Sequence, residues 1–210
     1  MLFFVSLCLG GFPAFSSETL TVAVASSFYP QAMQYSKQFE AKHHVQVRLV
    51  AGSTGRLFNQ IQQGAPFDIF IAADEAYAAL FSGEKTTIAQ GYLGLSVRGK
   101  WVTDLQVLQD ASIKSIAIAN PNVAPFGKAA KKILKQAALW DSIQAKLVYA
   151  QNAMQATMMV DQGLVDAGLI ATDEKAVAFI TIPYVALGLN HKAITRQFLQ
   201  SYKLPDMVLP

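Results

Sequence analysis

Four short stretches place hydroxyl-bearing or small residues where an apolar run gives way to a helical pattern: Ser26-Ser27, Ser53-Thr54 inside the GSTG of 52–55, the APFG of 124–127, and Asn152-Ala153. The first N–H groups of a helix lack intrahelical acceptors and sit at the positive end of its dipole, so each junction can hold an anion. Two of the four add hydroxyl donors, and none carries a Lys or Arg at the junction itself. The chemistry this allows is capture of an oxyanion by fixed neutral donors, which select shape and protonation state rather than raw charge. Each stretch alone reads as an ordinary N-cap or turn, and GSTG lacks the Lys of a phosphate-binding P-loop. It is the set that points to binding.

Other chemistry finds less support. His43, His44 and His191 have no ligand spacing to carboxylates and read as surface residues, so no metal site is expected. Asp68, Asp74 and Asp173 stand near strand ends, where hydrogen bonds to loop amides or hinge contacts suit them better than contact with an anion. Trp101 and Trp140 read as packing anchors. Ser27 with a histidine and Asp68 would imitate a catalytic triad, but G-x-S-x-G is absent.

The elements that must position these junctions alternate between strand-like and helix-like segments, the pattern of a parallel α/β architecture. Strands are expected at 20–25, 45–51, 68–72, 115–119, 147–150 and 167–170. Helices are expected at 30–42, 56–63, 74–81, 103–110, 128–138, 154–162 and 191–202. Segments 88–97 and 177–189 read as extended crossings between two similar units. In such sheets ligands bind beyond the carboxyl ends of the strands, where all four junctions fall.

Composition agrees with a packed, exported protein. Of 210 residues 52% are hydrophobic and 15% charged, enough apolar content for two small lobes. The net charge of +3 comes from scattered Lys and Arg, so no basic stripe argues for nucleic acid. The first residues, MLFFVSLCLGGFPAFSS, are uncharged and apolar and end in small residues, with Ala14 and Ser16 spaced as at a signal-peptidase site, although a positive n-region is missing. Cys8 is the only cysteine and lies in that leader. A mature chain beginning near Ser17 would therefore have no disulfide, thiolate metal site or Cys nucleophile.

The segments VAVASSF, AGSTGRLFNQIQQGAPFDIFIAADEAY, ANPNVAPFGKAAKKIL, LVYAQNAMQA and DAGLIATDE closely resemble the periplasmic molybdate-binding proteins of ABC importers, in order and spacing, from about residue 20 to 173. The resemblance implies an α/β, two-lobed periplasmic-binding-protein fold, each lobe a mostly parallel sheet flanked by helices. The expected division is a signal peptide at 1–16, a first lobe at 17–88 with 186–210 packing back on it, and a second lobe at 89–185. Carried over by position, the resemblance puts ligand hydroxyls at Ser27 and Thr54, with Ser53 their neighbour if the register slips by one. It puts backbone donors at Phe126 and Ala153. Where the family often has a tyrosine reaching the anion, this chain has Ala171, so that donor is missing unless Thr172 or a water replaces it. The chain is also shorter than its relatives after Phe81 and around 183–190.

The resemblance further implies a non-enzymatic, extracytoplasmic binding protein, a monomer that takes molybdate or tungstate without any cofactor and delivers it to an ABC importer permease. The alternatives are another oxyanion, a small organic anion, or an anion sensor. Porphobilinogen deaminases share the two-lobed scaffold, but they tether their cofactor through a cysteine that the mature chain would lack.

Overall fold

The computed structural model describes residues 18–202. The expected leader at 1–16, with Cys8, lies outside the described residues. In chain order the elements are β1 (Thr19–Ala25), α1 (Tyr29–His43), β2 (Gln46–Gly52), α2 (Thr54–Gln62), β3 (Ile69–Ala72), α3 (Glu75–Ala79), β4 (Lys85–Val97) and β5 (Lys100–Val102). Then come β6 (Ile116–Ala119), α4 (Pro125–Gln136), α5 (Trp140–Ile143), β7 (Leu147–Ala150), α6 (Ala153–Asp161), β8 (Ala167–Thr172), β9 (Ala178–Gly188) and α7 (Ala193–Ser201). No helix among the described residues is long and apolar enough to cross a membrane.

The strands form one sheet in the order β2-β1-β3-β9-β4-β8-β6-β7, with β5 hairpinned onto β4. At one end β1 runs parallel to β2 and β3, and at the other β6 runs parallel to β7 and β8. Between these halves lie β4 and β9, antiparallel to each other from Lys85↔Leu187 to Gly94↔Ala178, so the expected boundaries at 88/89 and 185/186 fall inside these two strands. Parallel strands covered on both faces must be apolar on both. Accordingly Leu20, Val22, Ala23 and Val24 of β1 and the whole IAIA of β6 are fully or almost fully buried.

Register sets the position of the junctions. Ala25 pairs with Gly52 at the ends of β1 and β2, and Ala119 pairs with Ala150 at the ends of β6 and β7. The loops that follow therefore leave each half at one level. Burial of the apolar helix faces holds this edge. Ala32, Tyr35 and Phe39 of α1 pack with Phe198 and Tyr202 beside α7, while Ala130 and Leu134 of α4 enter the same large core.

Two differences from expectation are local. Residues 103–110 form a five-residue 3-10 turn, Leu105–Gln109, in place of an α-helix. Only Leu108 of that turn is buried, so no continuous apolar stripe is available to hold a helix down. The Asp104 and Asp110 carboxylates close it by accepting from the N–H groups of Gln106 and Ser112. The β5 strand is the other addition. Arg98 and Gly99, both with positive φ (49° and 77°), make the tight turn that folds it back on β4.

Candidate functional site

At the edge where the parallel strands end, a small cavity of about 10 Å³ is lined by residues of all four junctions. Ser26 and Ser27 come from the turn after β1, Ser53 and Thr54 from the start of α2, Ala124 and Phe126 from the start of α4, and Ala153 from the start of α6. No charged side chain lines it. Ser26, Ser53, Thr54, Phe126 and Ala153 are each buried, and Ser27 is half-buried.

The donors at this cavity follow from how each helix begins. In α4 the first residue is Pro125, which has no N–H, so Phe126 carries the first free donor of that helix. Gly127 follows because α4 presses on the end of β6: a Cβ there would stand 2.1 Å from the Ala119 carbonyl oxygen. In α6 the Asn152 carboxamide accepts from Gln155 N–H at 2.9 Å and Ser26 Oγ accepts from Met154 N–H at 3.4 Å, leaving the Ala153 N–H at the cavity. At α2, Thr54 Oγ1 accepts from Ala73 N–H at 3.2 Å, which orients the hydroxyl and leaves its own proton to donate. Ser53 Oγ is buried and has no hydrogen-bond partner. A buried hydroxyl left unpaired costs about 1–3 kcal/mol, so Ser53 Oγ is a donor open to a further partner.

Contacts between the two halves close the cavity. Gly55 N–H donates to the Val123 carbonyl at 2.9 Å, Arg56 reaches Gln151 at 3.4 Å, and the Lys128 ammonium lies 4.6 Å from the Tyr77 ring centre and 3.4 Å from its hydroxyl. A Cβ on Gly55 would meet the Val123 carbonyl oxygen of the other half at 2.8 Å, and the Tyr77 hydroxyl of its own half at 2.7 Å, so glycine is what lets the halves approach this closely. Arg56 is exposed and points away from the cavity lining.

Of the six residues singled out from the sequence, five line this cavity: Ser27, Ser53, Thr54, Phe126 and Ala153. Ala171 is not brought to it. The β6–β8 register pairs Ile118 with Leu169, and β8 then continues along β4 to Thr172, which carries Ala171 past the level where β6 ends. It lines instead a second, open cavity of about 890 Å³ beside the first, with Ser26 and Ser27 common to both. The side chains of Met154, Met158, Gln90 and Tyr184 line this second space, as do Asp161, Asp173 and Glu174.

Among the carboxylates, Asp68 has a structural role. Its Oδ2 accepts from Thr21 N–H, and its Oδ1 accepts from the Asn190 amide and the Lys192 ammonium, each at 2.7 Å. Burial raises the carboxyl pKa, but the Lys192, Thr21 and Asn190 hydrogen bonds outweigh it and hold the group below the usual value. Asp74 caps α3 by accepting from Ala76 N–H. Trp140 is buried, His43 stacks on Phe39, and no group of three or more potential metal ligands occurs among the described residues.

Sequence reasoning passed over Tyr184, in the segment expected only as an extended crossing. Its ring is buried in β9, 4.7 Å from the Phe28 ring and 6.5 Å from that of Phe126. Burial pushes its phenol pKa well up, with a partly offsetting hydrogen bond to the Ser27 side chain. A Tyr amid Pro183 and Val185 carries no local sign of such a position.

The model of the bacterial extracellular solute-binding proteins matches residues 20–195. The molybdate-binding protein ModA of Azotobacter vinelandii is 34% identical over 170 residues, covering 77% of this chain and 68% of that protein. The ModA of Rhodobacter capsulatus is 31% identical over 169 residues, covering 76% and 66%, so the chain spans about two thirds of the length of these relatives. The solved structure of the A. vinelandii periplasmic molybdate-binding protein superimposes with a TM-score of 0.79 at 27% identity, over 89% of this chain and 93% of that one. The sulfate-binding protein SubI of Mycobacterium tuberculosis, at 13% identity and a TM-score of 0.70, shares the fold. With a family model spanning nearly all the described residues and the binding-protein fold around a neutral cavity, the chain belongs to the bacterial extracellular solute-binding proteins.

Proposed function

We propose that the protein captures a tetrahedral oxyanion, molybdate or tungstate, at the neutral junctions around the small cavity, which at about 10 Å³ has room for about one water and must widen as the halves part to admit the anion; it does so outside the cytoplasm and hands the anion to the membrane permease of an ABC importer. One observation carries this reading: the buried, unpartnered Ser53 hydroxyl opens onto a cavity walled by element N-termini and free of charged side chains. The ligand would be held by Ser27, Ser53 and Thr54 hydroxyls and by the N–H groups of Phe126 and Ala153. The molybdate-binding proteins of A. vinelandii and R. capsulatus, to which the chain is similar, support the choice of anion. In this reading the halves close on the anion, hold it and release it.

Backbone N–H groups donate and cannot accept, so an anion with its own O–H finds no partner for that proton among them. Phosphate keeps a proton at neutral pH, and with the Ser27, Ser53 and Thr54 hydroxyls all turned to donate no acceptor remains for it, so it should bind more weakly than molybdate or tungstate. A thermal-shift series with molybdate, tungstate, sulfate and phosphate tests the proposal. An anion present at a hundredfold its Kd should stabilise the protein by about 2.7 kcal/mol. Stabilisation by sulfate or phosphate but not by molybdate or tungstate would reassign the anion. No response to any of them would remove the function.

A further inference from the structure

We infer that Arg56 and Lys128 form a charge-sensing latch outside the neutral lining of the small cavity, favouring a doubly charged oxyanion over a singly charged one of the same shape. The inference rests on the oxyanion reading above. Arg56 stands two residues after Thr54 in α2, and Lys128 two residues after Phe126 in α4. Thr54 and Phe126 line the cavity, whereas neither cation does. Helix geometry separates them, since two residues turn the chain a little more than half-way round the axis. The donor residue faces inward, and the cation is exposed.

Each cation crosses to the other half. The Arg56 guanidinium donates to Gln151 Oε1, beyond β7, at 3.4 Å, and the Lys128 ammonium lies over the Tyr77 ring of α3 and donates to its hydroxyl. One contact starts from each half, so parting the halves breaks both. The partners are neutral and held in place: Gln151 N–H donates to Gln155 Oε1 at 2.7 Å, and the Tyr77 ring packs on Phe58.

Both cations stand where their own helices disfavour them. A helix N-terminus carries roughly half a positive charge, which suits acidic residues in the first turn and opposes basic ones. The first turns of α2 and α4 contain no acidic residue, yet Arg56 is the third residue of α2 and Lys128 the fourth of α4. A local rule broken at equivalent places on both sides of one cavity points to function. A dianion seated among the junctions attracts both cations and offsets the helix ends, and a monoanion does so half as strongly. Closure is then most favourable with a doubly charged ligand inside.

Tungstate and perrhenate, tetrahedral oxyanions of similar size with two charges and one, are the probes, titrated against the whole protein. The Arg56→Gln, Lys128→Gln pair should lower tungstate affinity roughly three- to tenfold, the range of two exposed contacts of this kind, mostly through faster release. Perrhenate affinity should change about twofold or less, so the preference for the dianion narrows. Ligand-free melting should stay at or above the parent's, because two cations leave the wrong ends of their helices; a merely structural role would lower it. The charge-keeping Arg56→Lys, Lys128→Arg pair should bind tungstate close to the parent. Should perrhenate bind too weakly to titrate, the two pairs compared on tungstate still decide. Equal losses for both anions, no loss for either, or a charge-keeping pair as weak as the glutamine pair would overturn the inference while leaving the proposed function standing. A parent protein that binds no oxyanion would overturn both.

Discussion

Ser53 and Thr54 are neighbours with opposite bonding histories, and that difference separates stability from binding. Ser53 Oγ has no hydrogen-bond partner among the described residues, whereas Thr54 Oγ1 accepts from Ala73 N–H. Removing an unpaired buried hydroxyl is neutral or stabilising; removing the partner of a buried N–H costs about 1–3 kcal/mol. Ser53→Ala should therefore melt at or above the parent temperature yet lose molybdate affinity, while Thr54→Ala should lose both. Differential scanning calorimetry and titration on the two variants check this. A Ser53→Ala protein that binds as tightly as the parent would mean that its hydroxyl contributes nothing to the ligand.

At the scale of elements, the glycines after Thr54 and Phe126 have different duties although both open a helix. Gly127 lets α4 press on β6 within one half, where a Cβ would run into the Ala119 carbonyl. Gly127→Ala should therefore destabilise the protein with or without ligand, by about 1–3 kcal/mol. Gly55 faces the Val123 carbonyl of the other half and the movable end of the Tyr77 side chain of its own, so Gly55→Ala should obstruct chiefly the close approach of the halves. Its ligand-free melting should stay near the parent's while the rate of molybdate release rises, which stopped-flow fluorescence of Trp101 or Trp140 can follow. These elements were largely legible in the sequence. Apolar runs such as LTVAVA and SIAIA announce two-sided strands, and an α/β sheet has only one edge at which its loops can gather a ligand. The helix expected from residue 128 begins three residues earlier, at Pro125. The failures are those of distance. Ala171 lies beside the wide cavity because strand register is set by partners far along the chain, and the Tyr184 ring packs on Phe28 across more than a hundred and fifty residues of sequence. The short turn at Leu105–Gln109 was misjudged because helical propensity does not say whether a face will be buried.

For the whole molecule, Asp68 ties the returning C-terminal segment to the first strands through Thr21, Asn190 and Lys192. Its carboxyl pKa is lowered in the folded protein from an ordinary 3.8, so the stabilisation is complete above that value and is lost as pH falls through the lowered one. Asp68→Asn should melt earlier than the parent at neutral pH, by an amount equivalent to about 1–3 kcal/mol, and the gap should shrink in acid. Melting curves from pH 7 down to pH 3 would show it, and a gap independent of pH would rule out an ionised Asp68 as its source.

The pairing of β4 with β9 has a mechanical consequence. Two separate linkers could slide or swivel independently, but these strands are laced together from Lys85↔Leu187 to Gly94↔Ala178, and slippage would break the whole ladder at once. They form a leaf spring: cheap to bend, costly to shear. The register irregularities between Thr87 and Ala89 and between Leu93 and Gly94 are its soft points, since a bulge already interrupts the ladder and concentrates twist. Opening should then be a bend at these two places. In hydrogen–deuterium exchange, amides along the body of the ribbon should stay protected whether or not anion is present, with ligand-dependent exchange confined to the bulges and to the Gly55–Val123 contact. Ligand-dependent exchange along the full length of both strands would mean that the spring unzips instead of flexing.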